Sequence, residues 1–304
     1  MLNYNQRPIE VISLSEKTIS CFEIETSESS NIDKKTVESF GHEWSKFSTF
    51  SEEEITNIGN EYFDLLDESI LNSSCTALDL GAGAGRWTKY LAKHVNFIEA
   101  IDPSNAVFSA LSLLKNSDNT RVTKASVDNI PFYDESFDLG ISLGVLHHIP
   151  NTQKALRKLV KKVKIDGHVL IYLYYNLDNK GFVYKLIFKF STYPRLLIAK
   201  FPDSLKKLTC DIIAVTVYAP LIMLSYVIKW ITFGSQVFKI IPLSYYVGKS
   251  FNVIRNDALD RFGTPLEKRF SKIEINTMMK DCGLDKIRFS DKQPFWHAVG
   301  KRKS

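Results

Sequence analysis

Three features of this chain could do chemistry by residue type and spacing: a glycine-rich turn, an acid beyond it and a pair of adjacent histidines. The turn is "ALDLGAGAGRW", Ala77 to Trp87, with Gly81, Gly83 and Gly85 at alternate positions. Glycines let a backbone approach a ligand and adopt positive φ, so such a turn can hold a dinucleotide, a nucleotide phosphate or a sulfonium cofactor. A dinucleotide fingerprint begun at Gly81 needs a small residue at position 86, where Arg86 stands and would obstruct close helix packing. A phosphate loop would end in Gly-Lys-Ser/Thr, which is missing. Asp102 follows Gly81 by 21 residues, where a carboxylate can accept hydrogen bonds from both ribose hydroxyls of an adenosine. It could also be a helix N-terminal acid ahead of Pro103.

His147 and His148 occur in "GVLHHIPN". Histidine titrates near neutral pH, and His147 is the candidate general base. The opposing reading has one histidine packing and the other capping the helix near Pro150. In "FGHEWSKF", His42 and Trp44 can form a water-excluding lid together with His148, or belong to a plain packing helix. Asp257, Asp260 and Arg261 can hold sugar hydroxyls or salt-bridge their own helix. No histidine or cysteine cluster has metal-ligand spacing, so no metal is expected.

These residues need a scaffold. At 304 residues, 44% hydrophobic and 24% charged, the chain has the composition of a globular protein with one large domain and additions, or two modest domains. The net charge of +5 is uneven: residues 1–75 carry 5 basic and 15 acidic side chains, and residues 151–210 carry 13 basic and 3 acidic. The basic region favours an anionic neighbour such as a membrane surface, a phosphorylated substrate or nucleic acid, or it pairs with the acidic N-terminal region. Cys21, Cys75, Cys210 and Cys282 are widely spaced, which fits a reducing cytoplasm. The N-terminus lacks a basic start and apolar run, so no signal peptide is expected.

Residues 25–35, "ETSESSNIDKK", read as a solvated linker. From Thr76, strands "TALDLG", "FIEAID", "RVTKAS", "FDLGISLG" and "GHVLIYLYY" alternate with helices near 87–94, 105–115 and 151–163. This is the pattern of an α/β, doubly wound sheet. A helix at 272–282 and the strands "GLDKIRFS" and "PFWHAVGKR" close the chain as an antiparallel hairpin at the sheet edge. The expected organisation is an N-terminal extension or lid (1–70), a cofactor-binding core (71–175), a helical insertion (176–268) and a C-terminal part of the core (269–304).

The residues "LDLGAGAGRW", "IDPS", "NIPFYDESFDLGISLGVLHHI" and "VKIDGHVLIYLY", with the terminal hairpin, resemble the class I (Rossmann-like) S-adenosylmethionine-dependent methyltransferases, in particular the ubiquinone-biosynthesis-type group. The resemblance covers about 75–175 and 270–301. It implies a seven-stranded mixed sheet with an antiparallel C-terminal strand, and S-adenosylmethionine as cofactor. Carried over position by position, it makes Asp79 the acidic strand-end residue and Gly81, Ala82 and Gly83, with Gly85, the turn at the methionine moiety. Asp102 takes the ribose, and Ser126, Val127, Asp128 and Leu143 surround the adenine. Ser126 stands where many relatives have aspartate, so Asp128 or the serine hydroxyl must take the adenine amino group.

No Asn-Pro-Pro-Tyr or Asp-Pro-Pro-Tyr tetrapeptide follows the fourth strand, so nucleic acid is not expected as acceptor. In the insertion, Lys185 and Lys189 lie on one face of an apolar helix, and Ile212 to Ile228 is a run of 17 uncharged residues with Pro220 at its centre. Three readings stand: a buried lid pair, an interfacial membrane element through 182–233, or a span. The run is shorter than the about 20 residues a span needs. The expected activity is methyl transfer to a small, lipid-linked or nucleotide-linked metabolite, by a cytoplasmic protein with peripheral membrane contact as one reading. A non-catalytic adenosine-cofactor scaffold and an NAD(P)-dependent oxidoreductase are the alternatives, the latter disfavoured by Arg86.

Overall fold

Short apolar runs separated by amphipathic segments assemble here as parallel strands with helices packed on both faces. The computed structural model describes residues 2–14, 17–25, 27, 29–46, 51–179 and 181–303, and of residues 42–46, 183, 184, 187 and 203 it describes the backbone alone. The chain divides into two units, Met1–Asp178 with Leu266–Ser304, and Asn179–Pro265.

The first unit begins with strands β1 (Glu10–Leu14) and β2 (Lys17–Cys21) and helices α1 (Lys34–Lys46) and α2 (Glu52–Tyr62). Strand–helix alternation follows through β3 (Thr76–Leu80), α3 (Arg86–Leu91), β4 (Phe97–Asp102), α4 (Ala106–Leu113), β5 (Thr120–Lys124), β6 (Phe137–Leu143), α5 (Thr152–Lys162) and β7 (Val163–Tyr172). The second unit is helical: α6 (Phe182–Ile198), α7 (Asp203–Ile213), α8 (Ala219–Ile231) and α9 (Phe251–Gly263). The chain then re-enters the first unit through α10 (Lys272–Asp281), β8 (Leu284–Phe289) and β9 (His297–Arg302).

The sheet order is β1-β2-β5-β4-β3-β6-β7-β9-β8. Strands β2 to β7 of the sheet run parallel to their neighbours, whereas β9 is antiparallel to both β7 and β8 and β1 is antiparallel to β2. The C-terminal hairpin therefore inserts its last strand beside β7, as the motif order implied. The central strands are covered on both faces, so Leu78, Ile98, Ile101, Leu139 and Ile141 are fully buried without polar alternation. Each such side chain contributes about 1.5–3 kcal/mol by leaving water.

Two expectations need correction. The sheet has nine strands rather than seven, because the N-terminal extension adds β1 and β2 beside β5. As an edge strand, β1 is exposed along nearly its whole length and carries no buried face that would mark it in sequence. Lys17 secures β2 by donating to the Leu114 carbonyl at 2.8 Å and to Thr120 Oγ1 at 3.0 Å. The solvated linker at 25–35 is also not fully solvated: Asn31 is buried, donates from Nδ2 to the Asn151 carbonyl at 2.9 Å and accepts the Asn151 N–H at 2.6 Å.

In the second unit, α7 and α8 join through a π-helical turn, Ala214–Tyr218, into one helix. The turn stands immediately ahead of Pro220, which has no N–H to donate. The inward face is made of Ala214 and Tyr218, which pack with Tyr246, Ile254 and Ala258. Burial of the apolar run as a lid pair is not what forms: Ile212, Val215, Met223 and Trp230 are exposed. The physical reason is that Cys210, Ala214, Tyr218 and Ser225 take the inward positions, so Tyr218 is the bulky side chain among them and the large apolar ones at 212, 215 and 223 point outward.

Candidate functional site

Strands β3, β4, β6 and β7 end on one edge of the sheet, and the glycine turn forms that edge at β3. After Leu80 the backbone passes Gly81 at φ +84°, Gly83 at +54° and Gly85 at +80°. At Gly81 a side chain is excluded twice, by conformation and by space, since a Cβ would stand 2.4 Å from Val145 Cγ1. Gly85 caps α3 and lets it approach α4, where a Cβ would lie 3.1 Å from that of Ala110. The close contact expected of a third fingerprint glycine is thus made one residue earlier. Arg86 causes no obstruction, because its guanidinium lies over the Trp87 ring at 4.1 Å.

The amides of this turn face inward. Gly81 and Ala82 both donate to the Ile101 carbonyl, at 2.8 and 3.0 Å, and Gly85 donates to the Ala82 carbonyl at 2.9 Å. Gly83 donates to Asp102 Oδ2 at 2.9 Å. A phosphate-binding turn aims such N–H groups at its ligand. Here they tie the turn to β4 instead, which physically disfavours a pyrophosphate.

What the turn leaves open is an acceptor. Asp79 is 1% exposed, and its Oδ2 accepts the Thr88 hydroxyl at 2.7 Å. Its Oδ1 has no partner among the described residues. Burial pushes its carboxyl up to about 7, against the Thr88 hydrogen bonds and with reinforcement from Asp102. Glu99 makes an instructive contrast, because burial also pushes it up to about 7. Its two oxygens are however matched by Arg121 Nε at 2.7 Å and by the Thr123 hydroxyl. Glu99 is a completed structural pair. Asp79 is incomplete, and a cationic group brought to Oδ1 would restore its charged form.

Asp102 is the last residue of β4. Burial raises its carboxyl, and the Ser104 and Gly83 bonds oppose this. Its Oδ1 accepts both the Ser104 N–H at 2.8 Å and the Ser104 hydroxyl at 2.6 Å. With Gly83 on Oδ2, three of about four acceptor positions are filled, leaving one for a ribose hydroxyl while Ser104 stays bound. Ser126, Val127 and Leu143 are buried at the same edge, beyond β5 and at the end of β6. Asp128 is committed elsewhere: it accepts the Asn31 N–H and pairs with Lys158 Nζ at 2.6 Å. Burial would raise its carboxyl, but these partners hold it below its usual range. Each Asp128 oxygen already holds a partner, whereas the Ser126 hydroxyl accepts the Asp128 N–H at 3.2 Å and keeps its second lone pair.

The histidines divide their roles. His148 Nδ1 donates to the Leu266 carbonyl at 2.7 Å and its ring meets Phe40 edge-on. Neither histidine caps α5, since Asn151 accepts the Lys154 N–H at 2.9 Å and does so itself. His147 is fully buried, stacked on Tyr174 with ring centres 4.0 Å apart, and neither ring nitrogen has a partner among the described residues. Burial, followed by the neighbouring His148 and Arg269, lowers its pKa well below the usual histidine range. Leaving such a group unpaired costs about 1–3 kcal/mol, which a bound ligand could recover.

Helix α1 touches both ends of this edge. A Cβ on Gly41 would lie 3.3 Å from the Asn105 nitrogen, beside the Asp102 loop, and Phe40 packs on His148. The side chains of His42 and Trp44 lie outside the described residues. Asp257, Asp260 and Arg261 belong to the second unit, where Arg261 pairs with Asp257 at 2.8 Å and Asp260 accepts the Thr264 hydroxyl at 3.3 Å.

Several site residues escaped the sequence reading. Tyr172 and Tyr174 follow one another along the end of β7, and Tyr62 bridges Tyr172 and Trp87 at 5.1 and 4.7 Å. The returning segment 266–270 is bonded to this wall: Lys268 N–H donates to the His147 carbonyl and Phe270 N–H to the Tyr174 carbonyl, at 3.0 and 2.8 Å. Arg269 pairs with the buried Glu267 at 2.7 Å and faces the Tyr174 ring. The only available signal was the alternation in "YLYY", since a pairing across ninety residues leaves no local pattern.

Residues 78–171 match the methyltransferase domain family. An uncharacterized methyltransferase, YcgJ of Bacillus subtilis, is 30% identical over 101 residues, 32% of this chain and 40% of that protein. Phosphoethanolamine N-methyltransferase 2 of Caenorhabditis elegans is 34% identical over 105 residues, 33% of this chain and 24% of that protein. The chain thus spans less than half the length of both curated relatives. The solved structure of B. subtilis YcgJ covers 80% of this chain and 98% of its own at 15% identity, with a TM-score of 0.47. The glycine turn, Asp102 and both histidines all lie in the segment that matches the methyltransferase domain family.

Proposed function

We propose that this chain transfers the methyl group of S-adenosylmethionine to a small, lipid-linked or nucleotide-linked metabolite. The observation that carries the reading is the acceptor-only corner at the glycine turn: amides turned inward, and the buried Asp79 with one oxygen open, within a methyltransferase domain. That corner suits a cationic amino-acid end rather than a phosphate. Asp79 and Gly81 to Gly83 would hold that end, Asp102 the ribose, and Ser126, Val127 and Leu143 the adenine.

S-adenosylmethionine, when bound, supplies an electrophilic methyl on a sulfonium. The chain's own task is to orient an acceptor and exclude water. Burial keeps His147 neutral and disfavours its protonated form, so its one unprotonated ring nitrogen can accept a hydrogen bond that orients the O–H or N–H of an acceptor, and can take that proton only as methyl transfer makes it acidic. Tyr174 holds the ring plane, and α1 supplies the cover. The basic balance of residues 151–210 supports an acceptor carrying a phosphate or carboxylate. The name of the C. elegans relative joins a phosphate and an amine in one such compound. A finer placing in the ubiquinone-biosynthesis-type group rests on the order of motifs from "LDLGAGAGRW" to "VKIDGHVLIYLY".

The test is incubation with methyl-labelled S-adenosylmethionine and fractionated cell extract, alongside calorimetric titration of the donor. Label entering a lipid or water-soluble fraction, and lost in His147→Ala with donor affinity retained, supports the reading. Donor binding without transfer to any fraction would make the chain a binding protein. No donor binding would overturn the proposal.

A further inference from the structure

The second unit presents its bulky apolar side chains to solvent in an ordered way. Along α6, Phe182, Leu186, Phe190, Tyr193 and Leu197 recur every three or four residues and are all exposed, which places them in one stripe. Lys185 and Lys189 border that stripe. Along α7 and α8 a second stripe runs through Leu208, Ile212, Val215, Met223 and Trp230, the last two 69% and 76% exposed. Phe233, just past the helix end, is 100% exposed. The opposite face of the same helix carries Cys210, Ala214, Tyr218 and Ser225, all buried. A helix in a water-soluble unit shows the reverse arrangement.

From this we infer that unit Asn179–Pro265 lies in the interface of an anionic lipid bilayer, its helices parallel to the surface and both stripes in the acyl boundary. The charge identifies the occupant. The unit has 12 Lys and Arg against 4 Asp and Glu, a balance of +8. Two of the four acids are taken up by internal pairs, Asp211 with Arg255 and Asp257 with Arg261. Lys185, Lys189, Lys229 and Lys239 are exposed beside apolar neighbours, the arrangement in which lysine stems lie on acyl chains and ammonium groups reach phosphates. A second copy of the chain would bring the same cationic rim against itself, a repulsive match.

The inner face decides between lying in the membrane and crossing it. Helix Ser204–Ile231 has 28 residues and could span by length and composition. Its midpoint, however, packs on ionised groups of α9: the Tyr218 hydroxyl donates to Asp257 at 3.1 Å, and Asp257 pairs with Arg261. A span would carry this network into hydrocarbon, whereas an in-plane helix keeps it on the water side. The inference is independent of methyl transfer.

Flotation of the full chain with phosphatidylcholine vesicles, with and without about one-third phosphatidylglycerol, tests it. The expected result is at least about tenfold greater recovery with the anionic vesicles, reduced by high salt. Trp230→Glu combined with Phe233→Glu should lower recovery about tenfold while leaving thermal unfolding unchanged, and Lys185→Glu with Lys189→Glu should remove the anionic preference. Quenching of Trp230 by shallow but not deep brominated lipids fits the in-plane placement. Deep quenching would overturn it in favour of a span. Failure to float, whether as monomer or as a concentration-dependent dimer, would overturn the lipid assignment itself.

Discussion

The two units of this chain handle polar and apolar surface in opposite ways. The first hides the aliphatic residues of its central strands and keeps polar groups buried with them, among them Asp79 and His147, whose Oδ1 and ring nitrogens have no partner among the described residues. The second buries a tyrosine cluster hydrogen-bonded to an ion pair and exposes large apolar side chains. The difference shows what each surface is ready to meet. An incomplete polar group within a dry edge awaits a small polar ligand, and an apolar stripe rimmed by lysines awaits a medium that is itself apolar and anionic.

The contrast would break first at the core. Ile141→Ala, at the fully buried centre of β6, should cost about 2–5 kcal/mol in denaturant unfolding. A cost below about 1 kcal/mol would mean that the sheet is looser than its burial implies.

Asp79 offers the next largest effect, and its sign is specific. The folded carboxyl sits at about 7 against an ordinary value of 3.8, so the folded state holds the extra proton between these limits. Stability of the ligand-free chain should therefore fall as pH rises from about 4 to about 7, by about 1.4 kcal/mol per unit of pKa shift. Glu99, also raised to about 7, adds a fall of its own in the same window, so Asp79→Asn should remove only its own share, about 4 kcal/mol, and weaken donor binding. Unfolding curves measured across that pH range would show it, and an identical slope in the variant would return Asp79 to a structural role.

A smaller effect belongs to Asp102→Asn, expected to weaken donor affinity by about 1.5–3 kcal/mol through lost charge-assisted hydrogen bonds. Calorimetric titration reads this directly, and unchanged affinity would remove Asp102 from the ribose site. The smallest effect is Met223→Gln on the exposed stripe of α8. It should change stability in lipid-free buffer by no more than about 0.5 kcal/mol, which unfolding midpoints can resolve. A loss like that of Ile141→Ala would show that the stripe is covered in solution.

Much of the fold was readable because parallel strands buried on both faces leave continuous apolar runs. "TALDLG", "FIEAID" and "FDLGISLG" became β3, β4 and β6 with ends within two residues. Strand β1 was missed because an edge strand carries little buried surface, and β2, although Ile19 to Cys21 are buried, because its pairing with β5 joins segments far apart in sequence. At the candidate site, Asp79, Gly81 and Asp102 belong to one short strand–turn–helix–strand stretch, so their grouping was legible in sequence. Tyr174, Glu267 and Arg269 meet through a chain reversal after the second unit. Asp128 and Ser126, equivalent candidates by spacing, were separated only by Lys158 and Asn31.

The sequence by itself determined the parallel sheet, the glycine turn and the acid at the end of β4, since each depends on periodicity or on spacing within one strand–turn–helix unit. Tertiary structure decided which of those groups is already satisfied and which is open. It turned the amides of the glycine turn toward Ile101, matched Glu99 with Arg121 while leaving Asp79 incomplete, and set the face of Ala214 and Tyr218 inward on the long helix. The reason is that hydrogen bonding and burial are sums over neighbours, and most of those neighbours lie far away along the chain.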